Sequence, residues 1–288
     1  MHDDARTLIA QHAKTAQLLG VDFLPLGTVP PGLAVQTDEP SSQTTNPQVS
    51  VLGSEPTPAP SFAPSTGQTI PSDIQPASSS ELREAYESAS SQQNKLDALK
   101  AKYEHDAPHQ HFNTTFQNIV FGEGDPNADL MFVGEAPGEQ EDSTGRPFVG
   151  RAGQLLENMI KAMGLSRETV YIANVLKVRP PGNATPTARE AALCSPYLME
   201  QIRIISPKVI VTLGLPASHL LLETAAPMRS MRGNWHTLPA HTLADGIPKA
   251  QIMPTYHPAY LLRSYTEDNR RKVWSDLTQV MQKLGLSQ

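Results

Sequence analysis

Four short apolar segments after residue 127 of this 288-residue chain alternate with helical patterns, and this alternation limits the possible folds more than any other feature. Each segment is a continuous apolar run, as in strands that are buried on both faces. Strands are predicted at residues 128–133, 169–175, 208–213 and 251–256, and helices at residues 150–163, 188–204 and 269–284. Strands that alternate with helices form parallel sheets with right-handed crossovers. The sequence therefore predicts an α/β fold, a three-layer sandwich with a central, mostly parallel four-stranded sheet and helices on both faces.

The first 80 residues have a different composition. Residues 25–80 are rich in Pro, Ser, Thr and Gln and hold too few apolar side chains to offset the entropy of ordering, which predicts a disordered linker. Residues 1–24 contain a short amphipathic helix, which either docks on a protein partner or is a marginal helix without one. The folded domain is predicted at residues 81–288, and it opens with a helix from Leu82 to Lys102 that Ser80 caps.

Charge and cysteine content restrict the function only weakly. The net charge is −7 for residues 1–106 and +1 for residues 107–288, so the net charge of the domain gives no support for nucleic-acid binding. One cysteine, Cys194, rules out an intramolecular disulfide and suits a reducing compartment. The N-terminus does not resemble a signal peptide, and no apolar run reaches the roughly 20 residues that span a bilayer. We expect a cytoplasmic monomer that does not associate with membranes.

Polar side chains follow three of the predicted strands. Glu135 follows the first strand, Asn174 ends the second and His257 follows the fourth. Each has a structural explanation by itself: an acid that faces a helix, a strand-end cap, and a hydrogen-bonded core histidine. The carboxyl ends of parallel strands meet at one edge of the sheet, where ligands bind in α/β proteins. Together the three residues predict a binding site, although they contain no nucleophile–base–acid triad.

The segment after the first strand adds charged and aromatic groups to this edge. Glycines and a proline at residues 134–138 predict a bend, and Glu139, Glu141, Asp142 and Phe148 follow it. Carboxylates and an aromatic ring directly after a strand indicate a site. The alternative is a strand–helix connection with solvated acids and one core phenylalanine.

Five longer motifs occur in order between residues 82 and 284. They are GEAPGEQED, GRPFVGRAGQLL, YIANVLKVRPPGN, QIRIISPKVIVTLG and HPAYLLR. Together they resemble the uracil-DNA glycosylases of the iron–sulfur type, called family 4. The resemblance implies a DNA-repair hydrolase that cleaves the N-glycosidic bond of deoxyuridine in single- or double-stranded DNA, releasing uracil and leaving an abasic site. Such an enzyme must flip the nucleotide out of the base stack into a pocket.

The resemblance also implies roles for individual residues. Phe148 matches the aromatic ring that stacks on uracil, and Asn174 matches the amide that reads N3–H and O4. Cytosine presents the opposite donor–acceptor pattern, and mispaired buried polar groups are strongly penalised. His257 matches the imidazole aimed at uracil O2, where negative charge develops. Ala136 stands where other branches carry an aspartate that positions water.

Three residues are candidates for positioning the water, and five are candidates for contacts with DNA. Glu135, Glu141 and Asn183 are the water candidates, and the sequence does not choose among them. In the HPAYLLR loop, the apolar residue that wedges into the duplex is Tyr260, Leu261 or Leu262. Arg263 and Arg151 are placed to meet phosphates.

The chain departs from the family at the cofactor. Members hold a [4Fe–4S] cluster on four cysteines, and these positions fall on Ala107, Gln110, Val178 and Cys194. Since one ligand of four remains, we expect no cofactor and no metal site. The cluster lies far from the bond that the family breaks, so its loss bears on the stability of the loops more than on the chemistry.

Three other readings compete with uracil excision. The first is a non-catalytic DNA- or uracil-binding protein of the same fold, although Phe148, Asn174 and His257 are all present. The second is a related glycosylase that acts on other deaminated bases or becomes covalently trapped; GEAPG and Asn174 favour uracil. The third is an interaction protein whose function resides mainly in the N-terminal helix and linker. Deleting residues 1–80 would then abolish its function, whereas mutations in the glycosylase site would not.

Overall fold

A computed structural model describes residues 74–286, which are built around one six-stranded sheet. The strands are β1 Glu123–Gly124, β2 Leu130–Gly134, β3 Tyr171–Asn174, β4 Val209–Leu213, β5 His236–Thr237 and β6 Gln251–Thr255. Their order is β1-β3-β2-β4-β6-β5, and the four central strands are parallel. The predicted α/β class and parallel strands are confirmed. The structure adds two antiparallel edge strands, β1 and β5, whose two residues each carry no periodic pattern.

Ten α-helices surround the sheet in this part of the chain. They are α1 Ser79–Tyr86, α2 Gln92–Asp106, α3 Glu139–Thr144, α4 Arg151–Ala162, α5 Ala188–Ile205, α6 Leu215–Leu222, α7 Met228–Met231, α8 Ala240–Ala244, α9 Pro258–Arg263 and α10 Glu267–Leu284. Short 3₁₀ turns occur at Pro108–His111 and Pro181–Asn183. No helix in the described range is long and apolar enough to cross a membrane.

The continuous apolar strands supply two separate cores. In β2, Met131 and Val133 belong to a core that also contains α1, α2 and α5, whereas Leu130 and Phe132 belong to a core with α4 and α10. Successive side chains of a strand point to opposite faces, so a strand with helices on both sides must be apolar throughout. The three-layer prediction is thereby confirmed.

The predicted helix from Leu82 to Lys102 is wrong, because two helices occupy this region. Ser78, not Ser80, caps α1: its hydroxyl accepts the Glu81 N–H, and the Glu81 carboxylate accepts the Ser78 N–H at 3.0 Å. The chain then turns, and Ser91 caps α2 by accepting the Asn94 N–H. Serine side chains compete for backbone groups, which favours helix ends over helix interiors.

The predicted N-terminal helix, at residues 1–24, and the predicted linker up to residue 73 lie outside the described residues. Within the described range, the packing begins at Ile74, before the predicted domain start at residue 81. Ile74 and Ala77 pack against the first core, and the Arg189 guanidinium donates to the Ile74 carbonyl.

Candidate active site

A cleft opens at the carboxyl ends of β2, β3 and β6. Its volume is about 540 Å³, within the range of roughly 300–1,000 Å³ that is usual for small-molecule sites. Nine of the sequence-predicted site residues line it: Glu135, Ala136, Glu141, Phe148, Arg151, Asn174, Asn183, His257 and Arg263. The structure therefore brings most of the predicted residues together, although they come from distant parts of the chain.

Gly134 makes the corner of this cleft possible. It ends β2 directly opposite Asn174 of β3. A Cβ atom at Gly134 would overlap the Asn174 amide oxygen and lie 2.5 Å from Cζ of Phe148. Only glycine lets the amide and the ring approach each other across the strand end.

Asn174 presents a buried acceptor to the cleft. Its side chain is 1 % exposed, and its Oδ1 has no hydrogen-bond partner among the described residues. Buried polar atoms are nearly always paired, because an unpaired one costs about 1–3 kcal/mol. Such an atom in a cleft wall is suited to receive an N–H group from a ligand.

A charged clamp holds Phe148 opposite Asn174. The Phe148 backbone has a φ of 52°, a left-handed conformation that is rare for bulky residues. Arg167 holds this backbone by donating to the carbonyls of Pro147 and Phe148, the latter at 2.9 Å. Glu123 in β1 pairs with both Arg167 and Arg146, at 2.7 and 2.8 Å. Arg167, which is itself held by Glu123 of β1, thus fixes the strained conformation.

His257 is a neutral hydrogen-bond donor. Its Nδ1 accepts the backbone N–H of Ala259 at 3.1 Å, which leaves the ring proton on Nε2. Burial, helped by the positive charge of Arg263, lowers the pKa of His257 to about 4. The imidazole ring lies 5.6 Å from the Phe148 ring, centroid to centroid. At neutral pH the cleft therefore contains one uncharged imidazole N–H beside an aromatic face.

Two of the acids after β2 have structural roles. The Glu141 carboxylate accepts the N–H groups of Gly138, Val149 and Gly150, at 3.1, 2.8 and 2.8 Å. Asp142 is buried and accepts the N–H of Gln117 at 2.7 Å. The interpretation of these acids as solvated is wrong for both of them, since Glu141 holds the cleft wall together and Asp142 ties α3 to Gln117 and Asn118.

Glu135 is in a different environment. It lies in the cleft wall, where its carboxyl group is hydrogen-bonded to the Thr185 side chain and feels the charge of Arg263. Burial outweighs these two contacts and raises the pKa of Glu135. Asn183 also lines the cleft and is exposed, and its Oδ1 accepts from Arg179 at 2.9 Å. The NH₂ group of Asn183 can therefore donate a hydrogen bond to a ligand.

The three wedge candidates differ in exposure. Leu261 is 1 % exposed and packs beside Leu155 and Met159, which makes it the least accessible of the three. Leu262 is partly buried against the same core. Tyr260 is 37 % exposed, and its ring is tilted by 33° against that of Tyr256, with the two centroids 5.0 Å apart.

The residues at the family's cluster positions do not fit a four-thiolate cluster. Cys194 is the only thiol, and burial raises its pKa to about 12, whereas a metal ligand must lose its proton. Its neighbour is the Tyr103 hydroxyl, and the Tyr103 ring contacts the rings of His109 and Tyr197 at 5.5 and 4.9 Å. Packed side chains fill this region. No group of three or more His, Cys, Asp or Glu residues that could hold a metal ion occurs between residues 74 and 286.

Sequence reasoning missed three residues that shape the site, Thr185, Arg167 and Lys177, and it assigned Gly134 only to a bend. Gly134 and Thr185 stand beside predicted residues, and the position of Gly134 at a strand end was an available signal. Arg167 and Lys177 act through contacts that are formed only on folding. Arg167 reaches Glu123, 44 residues earlier, and no local pattern indicates such a pair.

An amide with an unpaired oxygen, an aromatic ring and a neutral imidazole meet around one cleft of an α/β sheet, an arrangement suited to a flat heterocycle. Residues 121–278 match the family model described as the uracil DNA glycosylase superfamily. The chain belongs to this superfamily, as the motifs predicted.

Curated relatives give the same assignment. The chain is 45 % identical over 168 residues to a type-4 uracil-DNA glycosylase of Thermotoga maritima. The matched region covers 58 % of this chain and 82 % of the relative. The chain is 40 % identical over 179 residues to a type-4 enzyme of Archaeoglobus fulgidus, covering 60 % and 86 %. A type-5 uracil-DNA glycosylase of Pyrobaculum aerophilum is 37 % identical over 117 residues, covering 35 % and 50 %. The chain is thus similar to type-4 enzymes over more of its length than to this type-5 enzyme.

Proposed function

We propose that this protein is a DNA-repair uracil-DNA glycosylase of the type-4 kind, which hydrolyses the bond between deoxyribose C1′ and uracil N1. The observation that carries the proposal is the buried, unpaired Oδ1 of Asn174 beside the Phe148 ring. Uracil offers an N3–H donor next to the O4 acceptor. The Asn174 amide matches both groups, since its oxygen accepts and its NH₂ donates.

Recognition comes before the chemistry in this mechanism. The nucleotide leaves the base stack, and its base enters the cleft against Phe148. Cytosine places an acceptor at N3 and a donor at N4, so it would leave the Asn174 amide mispaired in a buried site. Such mismatches lower the efficiency of the wrong substrate by large factors.

Bond cleavage moves the bonding electron pair onto uracil and leaves cation character on the sugar. The Nε2–H of His257 donates to uracil O2 as negative charge accumulates there. A water molecule adds to C1′ and loses one proton to solvent or to a nearby base. A neutral donor suits this step because its hydrogen bond strengthens only as the charge develops.

Glu135 is our candidate for orienting the water. Burial raises the pKa of Glu135, which lines the cleft. The Glu141 carboxylate, in contrast, accepts three backbone N–H groups of the cleft wall and has a structural role. Asn183, which also lines the cleft, supplies an NH₂ group. Arg151 and Arg263 border the cleft and are proposed to meet phosphates. Tyr260 and Leu262 are more exposed than Leu261 and are the wedge candidates that we favour.

We further propose that excision proceeds without an iron–sulfur cluster, supported by the poor fit of Cys194 and its neighbours to such a group. The cytoplasmic location, the monomeric state and a protein partner for the N-terminal segment stay predictions.

The test is an excision assay with purified full-length protein. A labelled oligonucleotide that holds one uracil, single-stranded or paired with guanine, is incubated with the protein and then treated with alkali. We expect a strand break only after alkali, since the mechanism uses no amine nucleophile. A folded protein that binds the oligonucleotide without releasing uracil would favour the non-catalytic alternative. Release of another deaminated base in place of uracil would favour the related glycosylase.

A further inference from the structure

We infer that Lys177 is a positioning residue for uracil recognition: its amino group, buried behind the cleft, fixes the backbone of Asn174. The inference rests on the proposed function. Lys177 is 0 % exposed and does not line the cleft. Its Nζ donates to the Asn174 carbonyl at 2.8 Å and to the Gln201 side-chain oxygen at 2.5 Å.

The environment of Lys177 is unusual for a lysine. Its amino group lies 5.3 Å from the centroid of the Phe121 ring, and no carboxylate forms an ion pair with it within the described residues. Burial lowers the pKa of Lys177 to about 7. Burying an amine is costly unless its hydrogen bonds are well made, and an apolar side chain would fill the same space without that cost. The two hydrogen bonds therefore need a reason beyond packing.

The geometry of the strand end supplies that reason. Beyond β3, the N–H groups of Val175 and Leu176 bond the carbonyls of Gly134 and Glu135, both at 3.0 Å. These bonds attach residues 175 and 176 to the end of β2. Lys177, three residues after Asn174, holds the same segment by donating to the Asn174 carbonyl. Gln201 is itself anchored, because its NH₂ group donates to the Phe121 carbonyl at 2.9 Å.

The Asn174 backbone is thus tied to α5 through Lys177 and Gln201. The amide must meet N3–H and O4 of the base at once, and such two-point contacts tolerate displacements of only about 0.5 Å. If the Asn174 carbonyl loses its donor, the strand end relaxes and the amide no longer matches both groups.

The test compares Lys177→Met with the wild type, using inhibition of excision by free uracil. We expect the inhibition constant for uracil to rise about tenfold, the effect of losing roughly one well-placed hydrogen bond. Discrimination between uracil and cytosine substrates should fall by a similar factor. Single-turnover measurements should show a higher half-saturating enzyme concentration with a smaller change in the maximal rate.

Tyr86→Phe is the matched control. This substitution removes another buried hydrogen bond to α5, which the Tyr86 hydroxyl donates to Glu200. Glu200 is next to Gln201 in the sequence but does not line the cleft. Tyr86→Phe should lower stability and leave uracil inhibition unchanged. Gln201→Met, which loosens the anchor and keeps the Lys177–Asn174 bond, should raise the inhibition constant by a smaller factor of about three.

The outcomes separate the two proposals. Suppose that the wild type excises uracil and that Lys177→Met keeps the wild-type inhibition constant and discrimination. The role of Lys177 is then overturned, and the proposed function stands. If Lys177→Met does not fold, wild-type inhibition in Gln201→Met overturns this role instead. A wild-type protein that neither excises nor binds uracil removes the proposed function and this inference together.

Discussion

Asn174 carries the base specificity in the proposed mechanism, so its chemistry can be changed one group at a time. Asn174→Asp exchanges the NH₂ donor for an acceptor at neutral pH. We expect uracil excision to fall by at least tenfold and cytosine excision to become detectable, because the new oxygen repels O4 and accepts from the cytosine amino group.

The measurement is single-turnover excision on matched uracil and cytosine oligonucleotides. Asn234→Asp makes the same chemical change at an exposed residue outside the cleft and should leave both rates unaltered. Unchanged uracil activity in Asn174→Asp would show that another residue reads the base.

His257→Ala should slow bond cleavage much more than it weakens binding. A donor that gains strength mainly in the transition state lowers kcat, and removing one typically costs a factor of about 10²–10³. Phe148→Ala should weaken substrate binding as well, because stacking precedes bond breaking. Single-turnover kinetics at saturating enzyme distinguish the two variants. A His257→Ala protein that cleaves at the wild-type rate once bound would make this histidine a structural residue.

The lowered pKa of His257 also predicts how stability depends on pH. The unfolded chain takes up a proton at this residue below about 6.5, whereas the folded protein does so only near 4. Between these values the unfolded state binds more protons, so the contribution of His257 is fully present above pH 6.5 and is lost as the pH falls. Relative to His257→Ala, the wild type should lose roughly 1–2 kcal/mol of its free energy of unfolding between pH 7 and pH 5. Urea denaturation of both proteins at the two pH values measures this, and a constant difference would contradict a neutral buried imidazole.

At the scale of elements, α3 and the start of α4 depend on Glu141. Its carboxylate accepts three backbone N–H groups from both ends of the Phe148 loop. Glu141→Gln puts an NH₂ group against these donors and should lower the free energy of unfolding by about 1–3 kcal/mol. Glu135→Gln should leave stability near the wild-type value and slow excision at saturating enzyme. Denaturation and single-turnover rates of the two variants decide the assignment, and it fails if Glu141→Gln alone slows excision without destabilising the protein.

The elements that sequence could predict are those whose signal lies within a continuous segment. β2, β3, β4 and β6 were predictable from apolar runs, and α5 from its periodicity, even though Pro196 lies inside it. Pro196 removes an N–H from this helix, and the Ser195 hydroxyl donates to the Ala192 carbonyl at 3.2 Å in the same turn.

What could not be predicted depends on contacts between distant segments. The Arg167 clamp on Phe148, the unpaired oxygen of Asn174 and the burial of Leu261 all arise when separate elements pack. Glu135 and Glu141 are six residues apart and look alike in the sequence, yet only the backbone around Glu141 is arranged to bind a carboxylate.

For the whole molecule, the filled region between α2 and α5 predicts a protein that needs no iron. Purified protein should lack the visible absorbance of iron–sulfur clusters and contain no stoichiometric iron, and a chelator should change neither excision nor the melting temperature. Elemental analysis and thermal unfolding with and without the chelator provide the check. Four irons per chain would overturn the expectation and imply ligands other than the usual cysteines.

The two edge strands have a consequence for the behaviour of the protein in concentrated solution. An exposed sheet edge offers unpaired backbone groups to which another chain can add. Here β1 and β5 supply two residues each, and the Glu123 side chain in β1 is engaged by two arginines. Edges this short give a second copy little to pair with. Strand-to-strand aggregation through β1 or β5 is therefore disfavoured.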